Sequence, residues 1–246
     1  MRFLDVGFLD VGLSVVMAIA HFIYPRSPIS FISDRPLNLI KLPTGLIAYT
    51  KTTCTIANSM VSNTVRWTTR DLDAMPDDGG WKRYEIVDGD LHVTRAPHIR
   101  HQRTAGKLHV RLETWSERTG LGNAFQSPGV IFTPTDAVIP DVVCISRERL
   151  NTGLDEAGHL IVAPELVVEI LSPGELNEQR DKEVKRKLYS LHGVQEYWIV
   201  SWQREIIEIY RRSEAQLRLV STLLRNDSLS SPLLPGFNAP LAQVFQ

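Results

Sequence analysis

The stretch "PELVVEILSPG", residues 164–174, constrains this chain most tightly. Val167 and Val168 are β-branched, Pro164 and Pro173 bound the run, and every residue from Leu166 to Leu171 except Glu169 is apolar. Such a run reads as a buried strand. A lone carboxylate there costs several kcal/mol unless it is paired or lies at the strand's exposed end. The rest of the chain must supply the partner.

At 246 residues, 43% hydrophobic and 22% charged, the chain can bury one good-sized core. A formal charge of -1 gives no global attraction for nucleic acid, so any such interaction must rest on a local basic patch. Cys54 and Cys144 make no disulfide framework; Cys144 falls in an apparent strand and reads as a buried thiol, which fits a cytoplasmic location. The uncharged run of residues 11–24 is shorter than the roughly 20 residues of a membrane span, and Asp5 and Asp10 precede it. No stable membrane association is expected. Residues 25–63, rich in Pro, Ser and Thr without periodicity, read as a linker or disordered lead. The expected organisation is therefore a poorly structured extension over 1–60 and one domain over 61–246, with native translation starting near Met60. An intact mass of the native protein that includes residue 1 would refute that start.

From Trp67 onward the punctuation is regular. "TTRDLDAMPDDGG" predicts a short helix, and "RYEIVDGDLHVTRAP" predicts a hairpin about Asp88-Gly89. Leu108, Leu112 and Trp115 give one side of a helix that Gly120 and Gly122 stop. On that helix Arg100, Arg103, Lys107 and Arg111 share a face. Strand-like runs follow at 129–134, 137–146 and 165–171, the first two pairing as a hairpin, with a polar loop over 147–158. "LNEQRDKEVKRKLYSLHG" predicts a helix with an apolar stripe of Val184, Leu188 and Leu191, and "EYWIVSW" and "EIIEIYRR" predict a closing hairpin around Gln203 and Arg204. The order implies a mixed α/β or α+β sheet domain without internal repeats.

No nucleophile elbow, phosphate-binding glycine loop or dinucleotide fingerprint is present. His98 and His101 lack a third zinc ligand and read as surface or capping histidines near a helix start. The carboxylates say more. Asp141 heads one apolar strand and Glu169 sits in the next, so neighbouring strands would aim both at one spot. Mg²⁺ takes oxygen ligands, commonly one or two carboxylates with waters and substrate phosphate, and would be the partner Glu169 needs. Lys185 shares a helical face with Tyr189. Spacing alone favours a solvated charged face for "RDKEVKRK", and it leaves open a strand cap for Asp141 and the polar side of an edge strand for Glu85.

"YEIVDGDL", "IPDVVCIS", "PELVVEILSPG", "RDKEVKRKLYSLHGVQEYWIV" and "LLPGF" together resemble, in order and spacing, the Uma-two family, a branch of the PD-(D/E)XK nuclease superfamily. The resemblance covers roughly residues 66–246. It implies a restriction-endonuclease-like α/β (α+β) core with a central mixed β-sheet flanked by helices. It also implies an endonuclease that hydrolyses DNA phosphodiester bonds with Mg²⁺, or alternatively Mn²⁺. Asp141 matches the motif's first acid and Glu169 its second. Leu171 stands where the superfamily has its lysine, and Lys185 on the following helix matches the displaced one. Tyr189 and Asp181 match as well, and Glu85 matches an acid that would be a further metal or water ligand. Ser201 departs from the usual "EYWIVD". With DNA as partner, Arg100, Arg103, Lys107 and Arg111, and His101 at their start, would contact backbone phosphates. A homodimer is expected. The rival expectation is an inactive nucleic-acid- or partner-binding module on a nuclease fold.

Overall fold

The structure, a computed structural model, describes residues 39–41, 47–49, 65–76, 79, 81–174 and 178–246. The chain divides into two units, 1–61 and 62–246. In the first, β1 (Leu39–Lys41) pairs antiparallel with β2 (Ile47–Tyr49). The rest of the expected lead, including the apolar run 11–24 and Met60, lies outside the described residues. Among the described residues no helix is long and apolar enough to cross a membrane.

The second unit opens with α1 (Thr69–Leu72) and the hairpin of β3 (Lys82–Val87) and β4 (Asp90–Arg95). Asp88 and Gly89 both turn with positive φ, as the sequence pair predicts. Helix α2 (Ile99–Thr119) follows and stops at Gly120, whose left-handed φ of 67° carries no Cβ penalty. Then come β5 (Gly122–Gln126), β6 (Val130–Thr133), β7 (Asp136–Val138), β8 (Val142–Ser146), α3 (Arg147–Thr152) and β9 (Leu166–Ile170). A π-helical segment, Arg180–Lys185, runs into α4 (Arg186–Leu191). The chain closes with β10 (Glu196–Ser201), β11 (Ile206–Ser213), β12 (Gln216–Leu224), the short pair β13 (Ser228–Leu229) and β14 (Ala239–Pro240), and α5 (Leu241–Val244).

A six-stranded sheet runs β12-β11-β10-β9-β8-β5, and a four-stranded antiparallel sheet runs β4-β3-β7-β6. In the large sheet β9 and β10 are parallel, joined by the π segment and α4, while its other pairs are antiparallel. The sheet is therefore mixed, as expected. Period-two alternation sorts the core into two faces. Leu166, Val168 and Ile170 pack with Leu108, Leu112 and Trp115 of α2, whereas Val167 and Leu171 pack with Leu188 and Tyr189 of α4 and Tyr197 of β10. Glu169 has the parity of Val167, so it faces the α4 side.

Three expectations are corrected. The run 137–146 is two strands in two sheets: β7 completes a hairpin with β6, and the chain then crosses at Ile139–Asp141 to start β8. Pro140, with no N–H for a ladder bond, stands at that crossing. Residues 147–152 form α3, with the Ser146 side chain accepting from Arg149 N–H, where a polar loop was predicted. The predicted stripe fails as a burial pattern: Leu188 is buried, but Val184 is 37% and Leu191 71% exposed, and it is Asp181, Lys185 and Tyr189 that point inward.

At the sheet edge β5 lies close on β8, and a Cβ on Gly122 would meet the Ile145 carbonyl oxygen at 2.6 Å. Gly122→Ala should lower stability by about 1–3 kcal/mol, as overpacking does when the obstacle is backbone. A denaturant midpoint equal to that of the parent would show that β5 can shift.

Candidate active site

Pairing of β8 with β9 sets Val142 opposite Val168 and Val143 opposite Val167, so one step further along the register places Asp141 opposite Glu169. Both carboxylates line a cleft of about 350 Å³. Arg83, Glu85, His101, Asp181 and Lys185 line it too.

The π segment begins the helix whose inward face carries the charges. Lys185, only 2% exposed, donates from Nζ to Glu169 Oε1 at 2.8 Å and to Glu85 Oε1 at 2.9 Å. One helical turn on, Tyr189 Oη donates to the same Glu169 Oε1 at 2.8 Å. Glu85 also accepts from Ile139 N–H at 2.9 Å. Arg180 bonds the Asp181 carboxylate at 3.1 Å, and Tyr197 Oη donates to the Asp181 carbonyl at 3.0 Å. π-helical turns recur at functional sites. Here one carries both Asp181 and Lys185 into the cleft.

Asp141 is held from three sides. Its Oδ2 accepts from Ile170 N–H at 2.8 Å and from His101 Nε2 at 3.2 Å, and its Oδ1 accepts from Arg83 at 3.3 Å. Arg83 reaches Ser127 Oγ as well, at 3.1 Å.

Four buried carboxylates, Glu85, Asp141, Glu169 and Asp181, thus share the cleft with four cations, Arg83, Arg95, Arg180 and Lys185, of which Lys185 alone is buried. Burial works against the charge on Asp141 and Glu85, yet hydrogen bonds and cations hold both below the usual carboxylate range: His101, Ile170 N–H and Lys185 for the first, Lys185 and Ile139 N–H for the second. Glu169 goes the other way. Burial, then the fields of Asp141, Asp181 and Glu85, push it up to about 8 against the attraction of Lys185. Burial likewise raises Asp181, with Lys185 and Arg180 opposing. Lys185 is itself held above its ordinary value: burial would lower it, but Glu169, Glu85 and Asp181 outweigh that. One ammonium is shared by two carboxylates, so Glu85 keeps its charge and Glu169 tends to take a proton.

A model of the family Uma2, described as "Putative restriction endonuclease", matches residues 69–242. The chain belongs to the Uma2 family. No curated protein sequence matches it. Among solved structures, one from Anabaena variabilis, described as a putative nuclease belonging to DUF820, is 15% identical over 72% of this chain and 97% of its own, with a TM-score of 0.58. That likeness establishes a shared fold.

Of the residues singled out in the sequence, Asp141, Glu169, Lys185, Glu85 and Asp181 line this Uma2 cleft, and Tyr189 lies buried against Glu169. Glu85 is no edge-strand residue, since β3 pairs with both β4 and β7 and the side chain is buried. The solvated-face alternative for "RDKEVKRK" holds for Lys187 but not for Asp181 or Lys185. His98 does cap α2, accepting from Arg100 N–H, but His101 is buried against Asp141 and presents nothing to a phosphate on the surface. Arg100 and Arg103 are exposed. The lower half of that basic face is spent on the chain's own end: Lys107 donates to the Gln246 carbonyl, and Arg111 donates to the Lys107 carbonyl and to Gln243 Oε1. Arg83, Arg95 and Arg180, which line the cleft, were missed. For Arg83 and Arg95 the signal was their place at the two ends of the predicted hairpin that carries Glu85.

Proposed function

We propose that this Uma2 domain is a metal-dependent endonuclease that hydrolyses DNA phosphodiester bonds at the Asp141–Glu169 cleft. The observation that carries the reading is the register of β8 on β9, which sets two carboxylates opposite each other beside a buried, doubly paired lysine. Family membership supports a nuclease function.

Among the described residues no group of three or more His, Cys, Asp or Glu is arranged to hold a metal ion by itself. Mg²⁺ does not require one, because it is usually held by one or two carboxylates together with waters and phosphate. The donors fit that habit: Asp141 and Glu169 offer hard oxygens from adjacent strands, and the excess of buried carboxylates that raises Glu169 is the charge a divalent cation would offset. Such a cation lowers the pKa of a bound water and offsets charge developing on the phosphate.

The chain's own groups supply the rest. Lys185 Nζ fixes the Glu169 carboxylate and stands where it can orient the attacking water and stabilise negative charge on the phosphate. Glu85 anchors Lys185 from the other side, in place of the ligand role the resemblance implied for it, and Tyr189 fixes the rotamer of Glu169. Arg83 and Arg95, with Arg100 and Arg103 outside, form the cationic rim that would receive the DNA backbone, whose contacts give affinity without sequence information. Cutting both strands of a duplex calls for two such sites, which a homodimer would supply.

The test is cleavage of supercoiled and linear DNA by the full chain with Mg²⁺, Mn²⁺ or EDTA, beside Asp141→Ala. Metal-dependent cutting that falls by about 10²–10³-fold or more in the variant is expected, the scale on which removing a charge-stabilising group acts. Tight DNA binding by the folded parent without any cutting would favour the inactive binding module.

A further inference from the structure

His101 is the cleft residue whose place is least accounted for by the helix that carries it. It sits in the first turn of α2, 3% exposed, with its ring turned toward β8. A carboxylate without a proton only accepts, so a hydrogen bond across the 3.2 Å contact with Asp141 Oδ2 requires the hydrogen on Nε2. Nδ1 is buried and finds no hydrogen-bond partner among the described residues. The imidazole therefore has one polar contact, and that contact is Asp141. A buried ring with one orphaned nitrogen is a poor device for stability alone, since an apolar side chain would fill the space without leaving a polar atom unsatisfied.

The two oxygens of Asp141 are treated differently. Oδ2 is pinned by two buried donors, Ile170 N–H and His101. Among the described residues Oδ1 meets Arg83 alone, whose side chain is 24% exposed and whose contact is the longest of the three at 3.3 Å. Pinning one oxygen in the core leaves the other presented to the cleft, on a partner that can be displaced.

We propose that His101 is a positioning residue for Asp141, fixing Oδ2 so that Oδ1 is presented to a divalent cation, while Arg83 holds Oδ1 until the cation displaces it. This rests on the metal-dependent reading of the cleft. Outer partners that orient metal-binding side chains commonly alter metal affinity by about 10–100-fold when removed. The two neighbours of Asp141 then have opposite signs. Loss of His101 weakens metal binding, and loss of Arg83 removes a competitor and strengthens it.

Mn²⁺ binding to the full chain without DNA, measured by calorimetry, separates the outcomes. His101→Ala should bind Mn²⁺ about 10–100-fold more weakly than the parent. His101→Gln, which keeps a side-chain N–H, should recover most of the affinity, and Arg83→Ala should bind at least as tightly as the parent. Parent-like affinity in His101→Ala overturns the proposal. So does a His101→Gln variant as weak as His101→Ala, because packing rather than the hydrogen bond would then be what matters. If the parent itself shows no Mn²⁺ binding that Asp141→Ala abolishes, it is the metal reading of the cleft that fails.

Discussion

Lys185→Met should destabilise the protein by about 3–5 kcal/mol and abolish cleavage, the first because it leaves two buried carboxylates without their shared cation. Met matches the length of the lysine stem, so packing is kept and charge is what changes. In the parent, Nζ lies 2.8 Å from Glu169 and 2.9 Å from Glu85, with all three groups buried. Glu169 can answer the loss by taking a proton, as it already tends to do. Glu85 is the carboxylate that is ionised in the parent, held so by Lys185 and Ile139 N–H, and the loss of the ammonium falls on it. Adding Glu85→Gln to Lys185→Met should therefore recover a large part of the stability and none of the activity. Urea denaturation of the two variants at neutral pH checks both halves. A single variant as stable as the parent would mean that the ammonium is not what balances this cluster.

How much of this could be read from the chain depends on the length scale over which each feature is encoded. The β3–β4 hairpin, α2 with its stop at Gly120, and β9 are written in local spacing, and each forms where the pattern puts it. The break at Ile139–Asp141 was not legible, because the runs on either side of Pro140-Asp141 both fit a strand pattern and only tertiary pairing decides that they belong to two sheets. The region after α4 was half read. β10 and β11 follow from their β-rich runs, but β12 alternates weakly and carries exposed Leu219, Val220 and Leu224 on a sheet edge.

The site divides along a similar line. A carboxylate in "LVVEIL" announces its own strain, so Glu169 could be found without any partner in view. Asp141 follows once β8 and β9 are assumed to be neighbours. The inward turn of Lys185 could not be derived from periodicity, since the apolar stripe Val184–Leu188–Leu191 competes for the same helix and spacing favours it. What wins is the buried negative charge of Glu169 and Glu85, contributed from two strands far apart in the chain. His101 was hidden for the same reason. Its partner Asp141 lies 40 positions further on, and the spacing of "HIRH" reflects the helix start rather than the sheet.

Glu169→Gln should make the protein inactive and, at alkaline pH, more stable. The side chains are nearly the same shape, and the amide can still accept at Oε1 from Lys185 Nζ and Tyr189 Oη. In the folded parent, burial and three neighbouring carboxylates put Glu169 at about 8, against 4.5 for the free group. A pKa raised by folding means that the native state holds a proton which the unfolded chain releases. Its stabilising contribution is full below about 4.5 and is lost as pH rises through 8. Gln carries no such penalty, so the two proteins should melt together near pH 5 and separate near pH 8 to 8.5, with the variant higher. A divalent cation should close that gap by binding the ionised parent, as any ligand of the native state stabilises it, and should do little for the variant. Thermal melts at the two pH values with Mg²⁺ or EDTA measure all of this. A variant that is less stable than the parent at pH 8 without metal would show that Lys185 keeps Glu169 charged, and that the proton tendency assigned to this carboxylate is wrong.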